Sequence, residues 1–338
     1  MDKNLYTLII PTYNRPALLK KLITYLSQMR VAFNIMVLDS SNADVQIGNE
    51  SFCGNSSLNI NYRGYPEETK PLDKWLDGLN KVSSQYVSFC ADDDFVFPDA
   101  IAESIDFLSR NHDYIACHGN YINFDPDNHA NMHVEYSGLS IDNNSILNRF
   151  WQLMSNYEAI AYAIFKTNVI VDTFIHALEF PIPMYSELFL GVHPLIRGKV
   201  KRLPHIYYAR RAESVSFELH KTKVHPLTYF ANHTEEIFVE YARYRNALIK
   251  TILEHECGSN PDTLARYIDL IHSVYFMYSC DINQIIGLLN KDLGITVPVF
   301  ENKTITCVPT VNHTNKINNV SRYDMICALK EIQRYIQS

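Results

Sequence analysis

Asp92, Asp93 and Asp94 stand side by side in this chain. Adjacent carboxylates repel one another, so such a run is kept most readily where a cation sits on it or water surrounds it. Hard cations such as Mg2+ or Mn2+ prefer carboxylate oxygens and often bridge protein to substrate phosphates. In an extended segment the i, i+2 spacing turns Asp92 and Asp94 to one side and Asp93 to the other. The expectation is an ion held by Asp92 and Asp94, with Asp94 the safer ligand. The competing reading is a solvated turn with an N-cap for a helix that opens at Pro98.

Two further constellations have chemical promise. Pro11, Thr12, Tyr13, Asn14 and Arg15 follow an apolar run and can hold a ligand against exposed backbone groups, or can simply be a turn that feeds a helix. Asp39 ends a second apolar run and precedes Ser40 and Ser41. A carboxylate there can accept hydrogen bonds from a nucleobase or ribose, or can make an N-cap or Asx-turn.

These residues need elements to position them. Residues 5–10 and 33–38 read as buried strands, 59–62 as a short one, and 86–90 and 114–117 as two more. Residues 16–28, 72–82 and 98–109 have helical periodicity, with Pro16 and Pro98 suited to a first helical turn. Strands alternating with helices imply a mostly parallel sheet covered on both faces. All three acidic or turn motifs then lie at strand ends, where α/β proteins bind ligands. Farther on, 160–165 is strand-like and 187–196 helix-like. Residues 229–256, 261–278 and 281–293 have helical spacing, 297–320 reads as a loop or hairpin, and 321–336 as an amphipathic helix. The expected layout is an α/β domain over 1–220 and a helical region over 221–338.

The 338 residues are 47% hydrophobic and 20% charged, with a net charge of −7, so there is material for a large core and no global basic field for nucleic acid. The segment 197–223 is a local exception, with Arg197, Lys199, Lys201, Arg202, Arg210, Arg211, Lys221 and Lys223 against Glu213 and Glu218. It reads as a solvated face, or as a surface for diphosphates or anionic lipid headgroups. Seven cysteines without CxxC spacing imply core thiols in a reducing compartment and no zinc or disulfide framework. No signal-peptide pattern opens the chain, and no run reaches the roughly 18 apolar residues of a membrane span. A cytoplasmic protein is expected, with peripheral contact at an inner membrane and homo-oligomer formation left open.

The order of strand–PTYNR, strand–Asp and strand–DDD resembles the start of the family-2 glycosyltransferases with the GT-A fold. The resemblance rests on Leu-Ile-Ile-Pro-Thr-Tyr-Asn-Arg-Pro at 8–16, Val-Leu-Asp-Ser-Ser at 37–41 and Tyr-Val-Ser-Phe-Cys-Ala-Asp-Asp-Asp at 86–94. It covers residues 5–125 well, 180–215 moderately, and the helical C-terminus not at all. Within the family the likeness is to a variant subgroup of polysaccharide glycosyltransferases.

The resemblance implies a GT-A sheet with a helical C-terminal extension and a nucleotide-diphosphate sugar, UDP by preference, as donor. It implies that residues 11 to 15 and Asp39 line the nucleotide, that Asp92 and Asp94 hold Mn2+ or Mg2+ on the diphosphate, and that Asp93 contacts the sugar or holds the loop. Glu187 falls where the family places its catalytic base, with Leu190 three residues on; here Ser186-Glu187 replaces the usual Glu-Asp. The alternative is that Ser186 caps the helix and Glu187 favours its dipole. The family's Arg-Asn block becomes Lys70-Pro-Leu-Asp-Lys74-Trp75, where Lys74 would contact the diphosphate or be a solvated helix lysine. The processive Gln-x-x-Arg-Trp signature is absent, since tryptophan occurs only at Trp75 and Trp151.

His193, His205 and His220 lie where such enzymes add a third metal ligand, and each reads first as a structural histidine. A single base without a protein acid predicts inversion, with transfer to a hydroxyl of a glycan or lipid-linked acceptor in surface polysaccharide synthesis. Two rivals stay open. One is a sugar-phosphate nucleotidyltransferase, disfavoured by a first loop without glycine; the other is an inactive GT-A scaffold in an assembly complex.

Overall fold

Three buried, nearly continuous apolar strands set the frame: β1 (Tyr6–Thr12), β2 (Asn34–Asp39) and β4 (Tyr86–Phe89). Runs of this kind occur where helices cover both faces of a sheet. In the computed structural model, which describes residues 5–125, 132–136, 138–212, 233–256, 258–279 and 322–336, they do lie in the middle of one sheet. With β3 (Ile60–Gly64) they form the parallel order β3-β2-β1-β4. The register sets Thr12 opposite Asp39, and Ile9 opposite Phe89. All three strands therefore end at one edge.

Beyond β4 the sheet becomes mixed. It continues through β8 (Ile164–Lys166), β6 (Tyr114–Phe124), β9 (Lys199–Arg211) and β5 (Phe95–Val96), with β7 (His133–Val134) beside β6. β8 is antiparallel to β4 and β6, while β6 and β9 run parallel. β6 is much longer than the expected 114–117. A Cβ at Gly119 would collide with the His205 carbonyl oxygen, so glycine is what lets β9 pass that close. Only 164–166 of the expected strand 160–165 is extended; residues 160–162 make a 3-10 turn.

Helices cover both faces. α1 (Pro16–Gln28), α4 (Pro98–Arg110) and α11 (Arg322–Ile336) pack with Leu8, Ile10 and Ile122 on one side. α3 (Pro71–Leu79), α5 (Ile146–Met154), α6 (Thr167–Ala177), α7 (Pro183–Val192) and α8 (Pro194–Arg197) pack on the other, with Ile9, Leu38 and Phe89. Leu8, Ile9 and Ile10 alternate between the faces as a strand requires. α2 (Ala43–Gly54) has no counterpart in the sequence reading: it buries only Asn49 and Cys53, so the apolar stripe that marks a helix is missing. Its start is set by Asn42, whose side chain accepts the Val45 amide at 3.1 Å.

Two C-terminal helices, α9 (Thr234–His255) and α10 (Pro261–Ser279), join the second core through Tyr244, Leu248, Ile252 and Ile268. The expected helix 281–293, the loop 297–320, Cys257, Cys280, Cys307, His220, Lys221 and Lys223 lie outside the described residues. Cys53, Cys90 and Cys117 are buried thiols and Cys327 is exposed. No helix among the described residues is long and apolar enough to cross a membrane.

His272 closes the α9–α10 contact. Its Nδ1 donates to the Ile268 carbonyl at 2.8 Å, which leaves Nε2 to accept the Tyr244 hydroxyl at 2.8 Å. Burial pushes this imidazole down to about 4. The folded state thus leaves it neutral at pH values where an unfolded chain, with a histidine pKa near ~6.5, takes up a proton. Its contribution is complete above that value and falls as pH drops toward 4. Asp92, Asp94 and Glu158 are shifted upward by burial and respond in the opposite sense, so net stability conceals the effect. The check is a difference. The unfolding free energies of wild type and His272→Gln, measured in urea, converge by roughly 2 kcal/mol between pH 7 and pH 5.

Candidate functional site

The ends of β1 and β2 are tied by one buried amine. Lys74, on α3 and only 4% exposed, donates to the Thr12 carbonyl at 2.9 Å and to Ser40 Oγ at 2.7 Å. Burial lowers its pKa to about 8, against the pull of Asp39 and Asp92. The sequence offered diphosphate contact or a solvated helix lysine. In this structure Lys74 is not solvated, and two of its three N–H donors go to the strand ends.

Asp39 is 0% exposed. Its carboxylate accepts the Ser41 amide at 2.7 Å, Asn49 Nδ2 at 2.7 Å and the Tyr62 hydroxyl at 2.8 Å. The residues it fixes reach outward. Asn14, at φ 52°, donates its amide to Ser41 Oγ at 2.7 Å and accepts the Asn42 amide at 3.0 Å. Asparagine is among the side chains best suited to that left-handed position. Tyr13 is half-buried and Asn14 exposed, and both lie 3.4 Å from Glu67 Oε1. The turn 11–15 is therefore pinned to the turn after β2.

The aspartate run sits in a turn and not in an extended segment: the Asp94 amide donates to the Ala91 carbonyl at 3.2 Å. This corrects the alternation expected for Asp92 and Asp94. Asp92 and Asp93 instead share a partner. Arg15 pairs with Asp92, and its Nη1 lies 2.8 Å from Asp93 Oδ2. Thr12 donates its hydroxyl to Asp92 Oδ2 at 2.6 Å. Asp94 turns toward β9, where it accepts the Tyr208 hydroxyl and the Arg211 amide, each at 2.8 Å. The Tyr208 oxygen in turn accepts the Ala91 amide at 3.1 Å, so one side chain braces both ends of the turn.

Burial pushes Asp92 up to about 7 against the guanidinium of Arg15, and pushes Asp94 up to about 7 with help from Asp93. Asp92 and Asp93 thus share one guanidinium, and Asp94 beside them is buried without a paired cation of its own among the described residues. Their hard oxygens and excess negative charge fit a divalent cation. Their ligand atoms do not, however, form a ready three-ligand group; among the described residues only Asp172, His176 and His193 do so.

Glu187 is exposed on α7, with Tyr157 and Tyr275 as its electrostatic neighbours. α7 begins at Pro183, so Ser186 lies inside the helix and donates to the Pro183 carbonyl at 2.9 Å. It is not the cap considered from sequence.

Residues 7–174 match the sequence model of "Glycosyl transferase family 2". Residues 7–174 belong to that family. An uncharacterized glycosyltransferase of Haemophilus influenzae is 25% identical over 36% of this chain and 48% of its own length. A GalNAc(5)-diNAcBac-PP-undecaprenol beta-1,3-glucosyltransferase of Campylobacter jejuni is 25% identical over 48% of this chain and 52% of its own. The chain thus spans about half the length of the curated relatives it matches. The crystal structure of S. aureus TarS 1-349 in complex with UDP-GlcNAc superposes with a TM-score of 0.57 at 14% identity, over 84% of this chain and 75% of that one. That likeness shows the GT-A fold.

Several polar groups of this protein escaped the sequence reading. Tyr208 and the Arg211 amide carried no signal, because only the β5–β9 pairing brings them to Asp94. Glu158 is buried, ion-paired with Arg202 and 3.6 Å from His118 Nε2, and burial pushes it up to about 7. Among the described residues of the basic segment, Arg197 pairs with Asp172 and Lys199 with Asp113, at 2.7 and 2.8 Å. His205 faces Glu103 at 2.7 Å, and His193 lies with Asp172 and His176, so neither pairs with the aspartate run.

Lys74→Met distinguishes the two roles open to this lysine. Loss of a strand tie beside two buried carboxylates lowers unfolding free energy by roughly 2–4 kcal/mol in a urea titration. A lysine that served only the diphosphate would leave stability unchanged and raise KM.

Proposed function

We propose that this protein moves a sugar from a nucleotide-diphosphate donor to a hydroxyl of a glycan or lipid-linked acceptor, with inversion at the anomeric carbon. The carrying observation is the convergence of the turn 11–15, Asp39 and the aspartate run at one edge of the parallel strands. Donor sites in open α/β sheets lie at that edge. In this reading Pro11, Thr12, Tyr13, Asn14 and Arg15 border the nucleotide, and Asp39 shapes its pocket through Ser41 and Asn14. Arg15 exchanges its carboxylate partners for the donor diphosphate, to which a guanidinium is well matched. Asp93, released from Arg15, is then placed to meet the sugar.

An acceptor hydroxyl is a weak nucleophile at neutral pH, so a carboxylate must take its proton as the bond to the anomeric carbon forms. Glu187 is that base in this reading. A divalent cation, when bound, supplies charge neutralisation for the leaving diphosphate, and Asp94 with Asp92 are the residues to hold it. A single base on the face opposite the leaving group accounts for inversion.

Two measurements test the assignment. UDP is the first nucleotide to try, because the same fold has been solved with UDP-GlcNAc. UDP raises the melting temperature only when Mn2+ or Mg2+ is present, and Asp94→Asn abolishes the rise while remaining folded by circular dichroism. Glu187→Gln keeps the UDP-dependent rise but lowers transfer about 10^2- to 10^4-fold. Near-normal transfer in that variant would remove Glu187 from the role. Metal-dependent UDP binding without turnover of any nucleotide sugar would favour the scaffold.

A further inference from the structure

Away from the strand ends, α6 and the α7–α8 junction bring together a second set of ligand-type side chains. Asp172 and His176 stand one helical turn apart on α6, and His193 joins α7 to α8. One donor atom from each residue lies within 4.8 Å of the others. We propose that Asp172, His176 and His193 form a centre for a borderline divalent ion of the Zn2+ type, which pins α6 to the α7–α8 junction.

The decisive detail is the tautomer of His193. Thr173 donates its hydroxyl proton to the Val169 carbonyl at 2.9 Å. The same oxygen lies 2.9 Å from His193 Nδ1 and can only accept there, so the ring carries its proton on Nδ1. Nε2 is left with a bare lone pair. It is 0% exposed, has no hydrogen-bond partner, and points toward Asp172 Oδ2 at 3.9 Å. A buried lone pair that faces a carboxylate oxygen with no hydrogen between them is unfavourable. A cation seated between them removes that cost.

The rest of the geometry suits a metal. His176 Nδ1 donates to the Asp172 carbonyl at 2.9 Å, which leaves its Nε2 lone pair for a ligand. The His176 and His193 rings stack at 5.4 Å, and Phe189 stacks on His193 at 4.7 Å, so the buried imidazole is held in plane. Thr173 is an orienting outer partner of the kind that metal-bound histidines use. Asp172 and His176 are partly exposed, which gives an ion a way in. Arg197 is the competing charge, 2.7 Å from Asp172 Oδ2. It holds the same oxygen that faces His193 Nε2, so an ion seated there displaces the guanidinium from Oδ2, while Oδ1 lies 3.9 Å from His176 Nδ1. Two imidazoles and one carboxylate favour Zn2+ over Mg2+ or Ca2+, with water in the fourth position.

The test uses the full chain, stripped with a chelator and titrated with Zn2+. The expected result is one tightly held equivalent, a rise in melting temperature that millimolar Mg2+ does not reproduce, and a tetrahedral visible spectrum with Co2+. His193→Ala exposes a core position and can fail to fold, so the informative variants lie elsewhere. His176→Ala, on the partly exposed side, abolishes the Zn2+-dependent rise. Thr173→Val weakens Zn2+ binding by about 10- to 100-fold. Asp94→Asn leaves it intact, which separates this centre from the aspartate run. Zn2+ binding that survives both His176→Ala and Asp172→Asn would overturn the proposal, as would loss of binding in Asp94→Asn or no binding at micromolar free Zn2+.

Discussion

A single ammonium group buried among strand ends underlies the whole polar edge of the parallel sheet. Lys74 reaches from α3 to the last carbonyl of β1 and to the first hydroxyl after β2. The carboxylates of Asp39 and Asp92 draw its pKa upward against burial, while Arg15 opposes the upward shift that burial imposes on Asp92. A lysine is expensive to bury, and burial lowers its pKa for that reason. It is tolerated because two carboxylates and two oxygen acceptors face it. The strands, the 11–15 turn and the aspartate turn are thereby locked into one polar layer above an apolar sheet.

That layer draws on distant parts of the chain. The parallel strands carry Thr12, Asp39 and the approach to Asp92, while the antiparallel β5–β9 pair carries the partners of Asp94. The switch from parallel to mixed pairing is thus more than a topological detail. It lets the end of a strand near residue 210 return to the edge where the first strands finish. The helices α9 and α10 pack on one face of the sheet and enclose the core around Phe189 and Tyr244.

Much of the fold was legible because local chemistry and tertiary environment agree. β1, β2 and β4 are short apolar runs, and Pro16 and Pro98 do open helices. α2 was invisible because a helix that buries an asparagine and a cysteine has no apolar stripe to read. β6 was read too short because Gly119 serves close strand approach and not chain reversal. Residue types and order anticipated that these groups gather at one edge of the sheet, but side-chain direction did not follow from spacing. The turn at Asp94 and the two-way bracing by Tyr208 depend on a partner 114 residues away, which no local pattern encodes.

That separation bears on how the protein comes into being during synthesis. Residues 7–174 carry the family match, yet the oxygens of Asp94 find their partners only when Tyr208 and Arg211 have been made and β9 has docked. Contacts this far apart in sequence form late, since a long loop must close before they reward the chain. A nascent chain that has just completed its first half therefore has a sheet but no finished acidic turn. The bracing of this turn arrives only with β9, so chains stalled or cut short before residue 211 carry the recognisable family sequence without the partners of Asp94.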